Sequence, residues 1–295
     1  MERRPPRGTD NNGLLLGNLA DGTRVGEFVI EARLGARGTG HLYAATHLVL
    51  PRRATIHVLP PAEGPARTVA LELLRAACIV DAIDHPGMPR VFECGMFPDH
   101  RPWIASERIE GQTVATMLDS RRVSLGDVIA IVRDVAAVIA EAHRRGLVHG
   151  HITPAAIVFT PRGRRFPICL VDWVGARTHD STAPLPLVVG SPYVAPEQAN
   201  GIRIDDRSDV YSLGRIGSAL LDCVTGDEQS PMLVALLDSM TADDRDVRPA
   251  SEYVEQTAAW LAGQLPAQPV AVAAERSAPI TSEVAIAVAG EIAPR

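Results

Sequence analysis

The character of this chain changes after Gly111, from mainly strand-like to mainly helical, and that change does most to limit what it can fold into. From Val25 to Val58 the apolar residues come in short runs broken by glycines, Phe28-Val29-Ile30, Leu42-Tyr43-Ala44 and Ile56-His57-Val58, with the length and composition of strands. The segment from Glu63 to Ile83 contains a helix, with Leu71, Leu74, Cys78 and Ile79 on one face. Arg90-Val91-Phe92 and Trp103-Ile104-Ala105 return to strand character. Beyond Gly111, Val128, Ile131, Val135, Val138 and Ala142 recur at helical spacing, which predicts a long buried helix from near Leu125 to Gly146. Short strands around Ile157 and Leu170, a loop with Pro and Ser, and helices out to Gln264 complete the pattern. Strands first and helices afterwards give an α+β chain in two lobes.

The 295 residues, 46% of them hydrophobic, are enough for one large domain or two fused lobes around a buried core. Only 4% are aromatic, so that core is built from Ala, Val, Leu and Ile. A net charge of −6 argues against a nucleic-acid or anionic-membrane surface. Met1 to Arg7 has no apolar run behind it and does not read as a signal peptide, and no stretch is long enough to span a bilayer. Cys78, Cys94, Cys169 and Cys223 have neither metal-type nor disulfide-framework spacing, which fits a cytoplasmic protein with reduced thiols.

The order of several motifs resembles that of bacterial Ser/Thr protein kinases of the Hanks type. Leu34-Gly35-Ala36-Arg37-Gly38-Thr39-Gly40-His41-Leu42-Tyr43 is similar to their glycine-rich phosphate loop. His149-Gly150-His151-Ile152-Thr153-Pro154 falls where they have the catalytic loop, and Val171-Asp172-Trp173 where they have the start of D-F-G. Gly190 to Gln198 resembles the end of the activation segment, Asp206 to Gly214 the start of the large central helix, and Arg248-Pro249 closes the pattern. The resemblance implies a small, mainly β N-lobe with one helix and a larger, mainly α C-lobe. It divides the chain into a flexible arm over 1–21, an N-lobe and hinge over 22–111, a C-lobe over 112–264 and a disordered tail over 265–295. Within the tail, Val284 to Val288 is a β-like run that leaves docking open.

Phosphoryl transfer needs positioned charge: a Lys–Glu pair on the phosphates, an Asp and an Asn on magnesium, and an Asp that accepts the substrate proton. Carried over residue by residue, the resemblance puts His57 at the lysine and Ala76 at the helix glutamate. Glu72, a turn earlier, is a poor substitute because its side chain is directed elsewhere. His151 stands at the catalytic aspartate, Thr153 at its neighbouring lysine and Ala156 at the magnesium-binding asparagine. Only Asp172 survives, a weak magnesium site by itself. Trp173 and Val174 replace Phe and Gly, Gly150 replaces the arginine that would pair with an activation-loop phosphate, and Arg37 replaces the middle glycine of the phosphate loop. The parts that brace the fold are kept: His149, Trp173 and Val80 in the internal spine anchored by Asp209, and Glu197 with Arg248 as a buried ion pair.

The base end of the implied nucleotide site is kept better than the phosphate end. Leu34, Leu42 and Val158 would sandwich an adenine and the backbones of Glu107 and Ile109 would bond its edge, with Gly35, Gly38, Gly40 and Thr55 completing the site and Ser106 at its back. The plain reading of His57 and His151 is polar filler in a disused cleft. Two sharper readings place His57, His151 and Asp172 on a shared ion such as zinc, or join His57 and Asp172 in a pH-sensitive contact. Ser181 and Thr182 are phosphosite candidates or ordinary loop residues, and the short stretch from Gly226 to Met240 leaves little room for a conventional peptide-substrate platform.

The expectation is a pseudokinase, a non-catalytic interaction or allosteric module in signalling. It requires no cofactor, binds ATP weakly or not at all, is not expected to hold magnesium, and acts on a protein partner such as an active kinase. The rival expectations are residual or atypical ATP-dependent Ser/Thr kinase activity, with His151 as base, and nucleotide sensing.

Overall fold

The structure, a computed structural model, describes residues 18–37, 40–61, 65–160, 164–181, 191–225 and 230–265. Gly38, Thr182 and the run from Val284 to Val288 lie outside these residues.

The first part of the chain forms a six-stranded sheet and one helix. Strands β1 (Arg24–Val25), β2 (Phe28–Arg37), β3 (Gly40–His47) and β4 (Arg53–Val58) are followed by α1 (Pro65–Ala82), β5 (Val91–Met96) and β6 (Pro102–Glu107). The strand order is β1-β2-β3-β4-β6-β5, antiparallel throughout. Alternation along each strand sorts side chains onto two faces. One face packs Phe28, Ile30, Tyr43, Ile56 and Trp103 into a core of its own. The other carries Leu42, His57 and Ile104 in one cross-strand row and Thr55 opposite Ser106 in the next.

The helix α1 forms where the sequence places it, but it buries a different face. Leu71 is 52% exposed and Cys78 is exposed, whereas Ala70, Leu73, Ala76, Ala77 and Val80 are buried. Apolar residues surround this helix, so periodicity alone does not pick the inner face. The alanines lie inward, where small side chains let the backbone approach its neighbours.

The remainder is mainly helical: α2 (Val114–Ser120), α3 (Leu125–Arg144), the short strands β7 (Leu147–Val148), β8 (Ile157–Phe159), β9 (Ile168–Leu170) and β10 (Arg177–Thr178), then α4 (Pro196–Ala199), α5 (Asp206–Leu221), α6 (Pro231–Met240) and α7 (Ser251–Gln264). A capping box starts α3: Ser124 Oγ accepts from Asp127 N at 3.1 Å while an Asp127 carboxylate oxygen accepts from Ser124 N at 3.1 Å. Beyond it Val128, Val132, Val135, Val138 and Ile139 are fully buried between α5, α7 and β9. Each such Val or Ile contributes on the order of 1.5–3 kcal/mol by leaving water, which makes α3 the axis of this lobe. Gly146, at φ 70°, turns the chain out of the helix. The sequence reading missed α2, although its Thr113/Thr116 capping box was visible in Thr113-Val114-Ala115-Thr116. Among the described residues no helix is long and apolar enough to cross a membrane.

Candidate functional site

The sheet and the helical lobe enclose a cleft of about 340 Å³. Its roof is Leu34 and Gly35 from β2, Leu42 from β3, and Thr55 and His57 from β4; its floor is Val158 of β8 and Val171. Ser106, Glu107 and Ile109 form the edge where the chain passes between the lobes, and Ala77 and Val80 of α1 close the back. Asp172, Trp173 and Val174 line the deep end. Leu34, Gly35, Leu42, Thr55, Glu107, Ile109 and Val158 thus meet around one cavity. Gly40 does not line it; it is buried against the His57 ring.

The relation of Gly40 to His57 sets the end of the cleft under the β2–β3 hairpin. A Cβ built on Gly40 would come within 2.2 Å of His57 Nε2 and 2.7 Å of its Cδ2. The glycine is therefore needed for room, and the imidazole, only 5% exposed, fills the space directly under the β2–β3 hairpin. Ala76 is buried in α1 with its methyl group in the main apolar core. Glu72 is not among the lining residues of the cleft; one of its carboxylate oxygens accepts a hydrogen bond from the Ser181 hydroxyl.

Asp209, on α5, organises the loop at the deep end. Its carboxylate accepts from the backbone N–H groups of His149 and Gly150, each at 2.8 Å, and meets His143 Nε2 at 2.9 Å. Burial alone raises this carboxyl, but its hydrogen bond with His143, together with the bond from the Gly150 backbone N–H, outweighs burial and holds the group below its ordinary value. Burial pushes the His149 imidazole the other way, below its ordinary value, and the ring lies tilted against Trp173 with centroids 4.5 Å apart. Gly150 has φ 71°, and a Cβ there would lie 2.7 Å from Ile204 Cδ1. The position thus favours glycine on its own account. His151 N lies 3.3 Å from His149 Nδ1, and the Ala156 carbonyl accepts from Val171 N at 2.8 Å. Thr153 precedes the short turn Pro154–Ala156 without capping it through its side chain.

The residues at the deep end do not fit a metal. Ala156 has no ligand atom and is completely buried. Among the described residues no group of three His, Cys, Asp or Glu side chains is placed to hold an ion, so His57, His151 and Asp172 do not converge as the zinc reading required. Asp172 sits at φ 74° and starts the turn Trp173–Gly175.

One ion pair lies at the cleft edge and another within the helical lobe. Arg164, between β8 and β9, bonds both oxygens of Glu107 at 2.8 and 3.1 Å and reaches the carbonyls of Pro86 and Met88 at 3.2 and 3.3 Å. Burial raises the Glu107 carboxyl, and the Arg164 guanidinium outweighs that, keeping it below the usual carboxylate value. The sequence reading missed this contact, because nothing local marks an arginine in a turn as the partner of a glutamate on another strand. Arg248 and Glu197 meet at 2.8 and 3.0 Å, with Ser208 Oγ donating to the same carboxylate at 2.7 Å.

One further feature was legible in the sequence and missed there: the chain contains no lysine, all its basic side chains other than histidine being arginine. No lysine from elsewhere in the chain can therefore reach the cleft.

No protein-family model matches the chain. It is 28% identical over 195 residues to the serine/threonine-protein kinase pkn2 of Myxococcus xanthus, covering 64% of this chain and 23% of that protein. It is 33% identical over 202 residues to pkn3 of the same organism, covering 64% of this chain and 36% of that protein. The chain thus spans well under half the length of these curated relatives. In three dimensions it is similar to the PknI kinase domain of Mycobacterium tuberculosis, with a TM-score of 0.62 at 24% identity over 83% of this chain and 100% of that one. The two-lobed fold of this chain is that of a protein kinase.

Proposed function

We propose that this protein-kinase-like domain is a pseudokinase, a non-catalytic module that works through its shape on a protein partner in the cytoplasm. The observation that carries the proposal is the chemistry of the cleft: a chain without lysine, with His57 at the phosphate end and buried methyl groups at Ala76 and Ala156. Kinase catalysis is positioning and charge neutralisation, and each of these positions has lost its charge or its ligand atom. The retained Asp209 cage and Glu197–Arg248 pair support a frame kept for its own sake. The intact base end favours weak, metal-independent binding of nucleotide over none.

A second reading has support of its own. The relatives are named serine/threonine-protein kinases, and His151 offers an imidazole where a base is required. Purified protein incubated with a generic substrate and α- or γ-labelled ATP separates the two. The pseudokinase reading expects no incorporation above a mock preparation. Incorporation that disappears in His151→Ala overturns it. A melting scan with ATP, with and without magnesium, tests binding itself: ligand at 100 times its dissociation constant stabilises a fold by ~2.7 kcal/mol, and the expected shift is small and independent of metal.

A further inference from the structure

Cys78 and Cys94 are far apart in the sequence, and neither belongs to any recognised spacing. The fold brings them together. Cys94 on β5 is paired with Ile104 on β6, which is paired with His57 on β4. Paired residues on neighbouring strands project to the same face. Cys94 therefore lies on the face of the sheet that carries the cleft and α1, and α1 packs against β5. Cys78 sits on that helix, just after Ala77 of the cleft wall, and its thiol neighbours the Cys94 thiol across the α1–β5 contact. Cys78 is solvent-exposed and Cys94 is half-buried, so one sulfur is open to a reagent and the other waits beside it.

We infer that Cys78 and Cys94 form an oxidisable dithiol, a modification site at which a disulfide joins α1 to β5. The chemistry is thiol–disulfide exchange with a small disulfide of the glutathione class. The Cys78 thiolate attacks that disulfide, one thiol leaves, and a mixed disulfide forms on Cys78. The Cys94 thiolate then attacks the Cys78 sulfur and the second thiol leaves. The two protein sulfurs are oxidised, the small disulfide is reduced to two thiols, and both cysteine protons end on them. Burial, followed by the neighbouring Cys78, raises the Cys94 thiol above its ordinary value, which suits it to the second, intramolecular attack rather than the first.

The bond acts on a helix already held one to two turns earlier. Ser181 bonds Glu72, and Arg75 lies 3.8 Å from Asp180, so α1 is tied to the segment that follows Asp172. A disulfide at Cys78 fixes the same helix to the sheet. Ala77 and Val80, which close the back of the cleft, become anchored on both sides. The inference is independent of whether the cleft transfers phosphate.

The test uses the full chain treated with glutathione disulfide, then maleimide mass-tagging of free thiols and peptide mapping without reductant. The expected result is a monomer with two fewer taggable thiols, a single cross-linked peptide joining Cys78 to Cys94, and reversal by dithiothreitol. Cys78→Ser and Cys94→Ser each abolish the cross-link, and Cys169→Ser leaves it intact. Mapping of the unsubstituted protein stands even where a variant folds poorly. Four taggable thiols after treatment, a product that stops at glutathione on Cys78, or a cross-link between two chains would each overturn the inference.

Discussion

The guanidinium of Arg164 holds the carboxylate of Glu107 through two hydrogen bonds, 2.8 and 3.1 Å long, and so joins the β8–β9 turn to the strip of chain between the lobes. Both side chains are about one quarter exposed, at 23% and 28%, which leaves solvent screening some effect. Arg164→Ala is expected to lower stability by ~1 kcal/mol. A double-mutant cycle with Glu107→Gln in urea measures the coupling. A coupling indistinguishable from zero would show that the contact holds nothing.

The Glu197–Arg248 pair lies deeper, with the arginine side chain wholly buried. Removing one partner leaves the other charge buried and uncompensated, so Glu197→Ala is expected to cost ~3–5 kcal/mol. Equilibrium denaturation reads the loss directly. A cost below 1 kcal/mol would contradict the bracing role.

Gly40 and His57 share one space. Gly40→Ala forces the imidazole aside or shifts the hairpin, a steric insult of ~1–3 kcal/mol. The double variant Gly40→Ala/His57→Ala vacates that space and should recover most of the stability. If the second substitution adds to the loss instead, the two residues do not compete for room.

The pH dependence follows from His149, Glu197 and Asp209. Burial depresses His149 below its ordinary 6.5, so the unfolded chain takes up this proton first. Stability is complete above pH 6.5 and falls as the pH drops through that value. The Glu197 and Asp209 carboxyls are also held below their ordinary 4.5 and 3.8, and their stabilising effect is lost at still lower pH. A melting curve across pH 3–8 should therefore show two successive falls, with the upper one reduced in His149→Phe. An unchanged upper limb in that variant would assign it to other histidines.

Much of the fold could be read from periodicity because the strongest signals were long or repeated. The α3 stripe from Val128 to Ala142 could be satisfied only by a buried helix, and the glycine-punctuated runs only by short strands. The inner face of α1 could not be read that way, because Leu71 and Cys78 look as suitable for a core as Ala76 and Ala77 do. Motif order placed Leu42, Thr55, Glu107 and Val158 around a common cavity before any coordinates. Contacts made by pairs distant in sequence, Gly40 with His57, Arg164 with Glu107 and Cys78 with Cys94, left no local mark and needed the fold.

Ala76 and Ala156 have become part of the apolar interior, at 1% and 0% exposure. An acidic side chain introduced at 76 would find no lysine anywhere in the chain to answer it, and an amide introduced at 156 would enter packed surroundings before it met a ligand. A polar or charged side chain at either position is therefore penalised until partners for it are in place. The interior around these two methyl groups works as a ratchet: a single substitution costs stability before it can bring in a new charge or ligand atom.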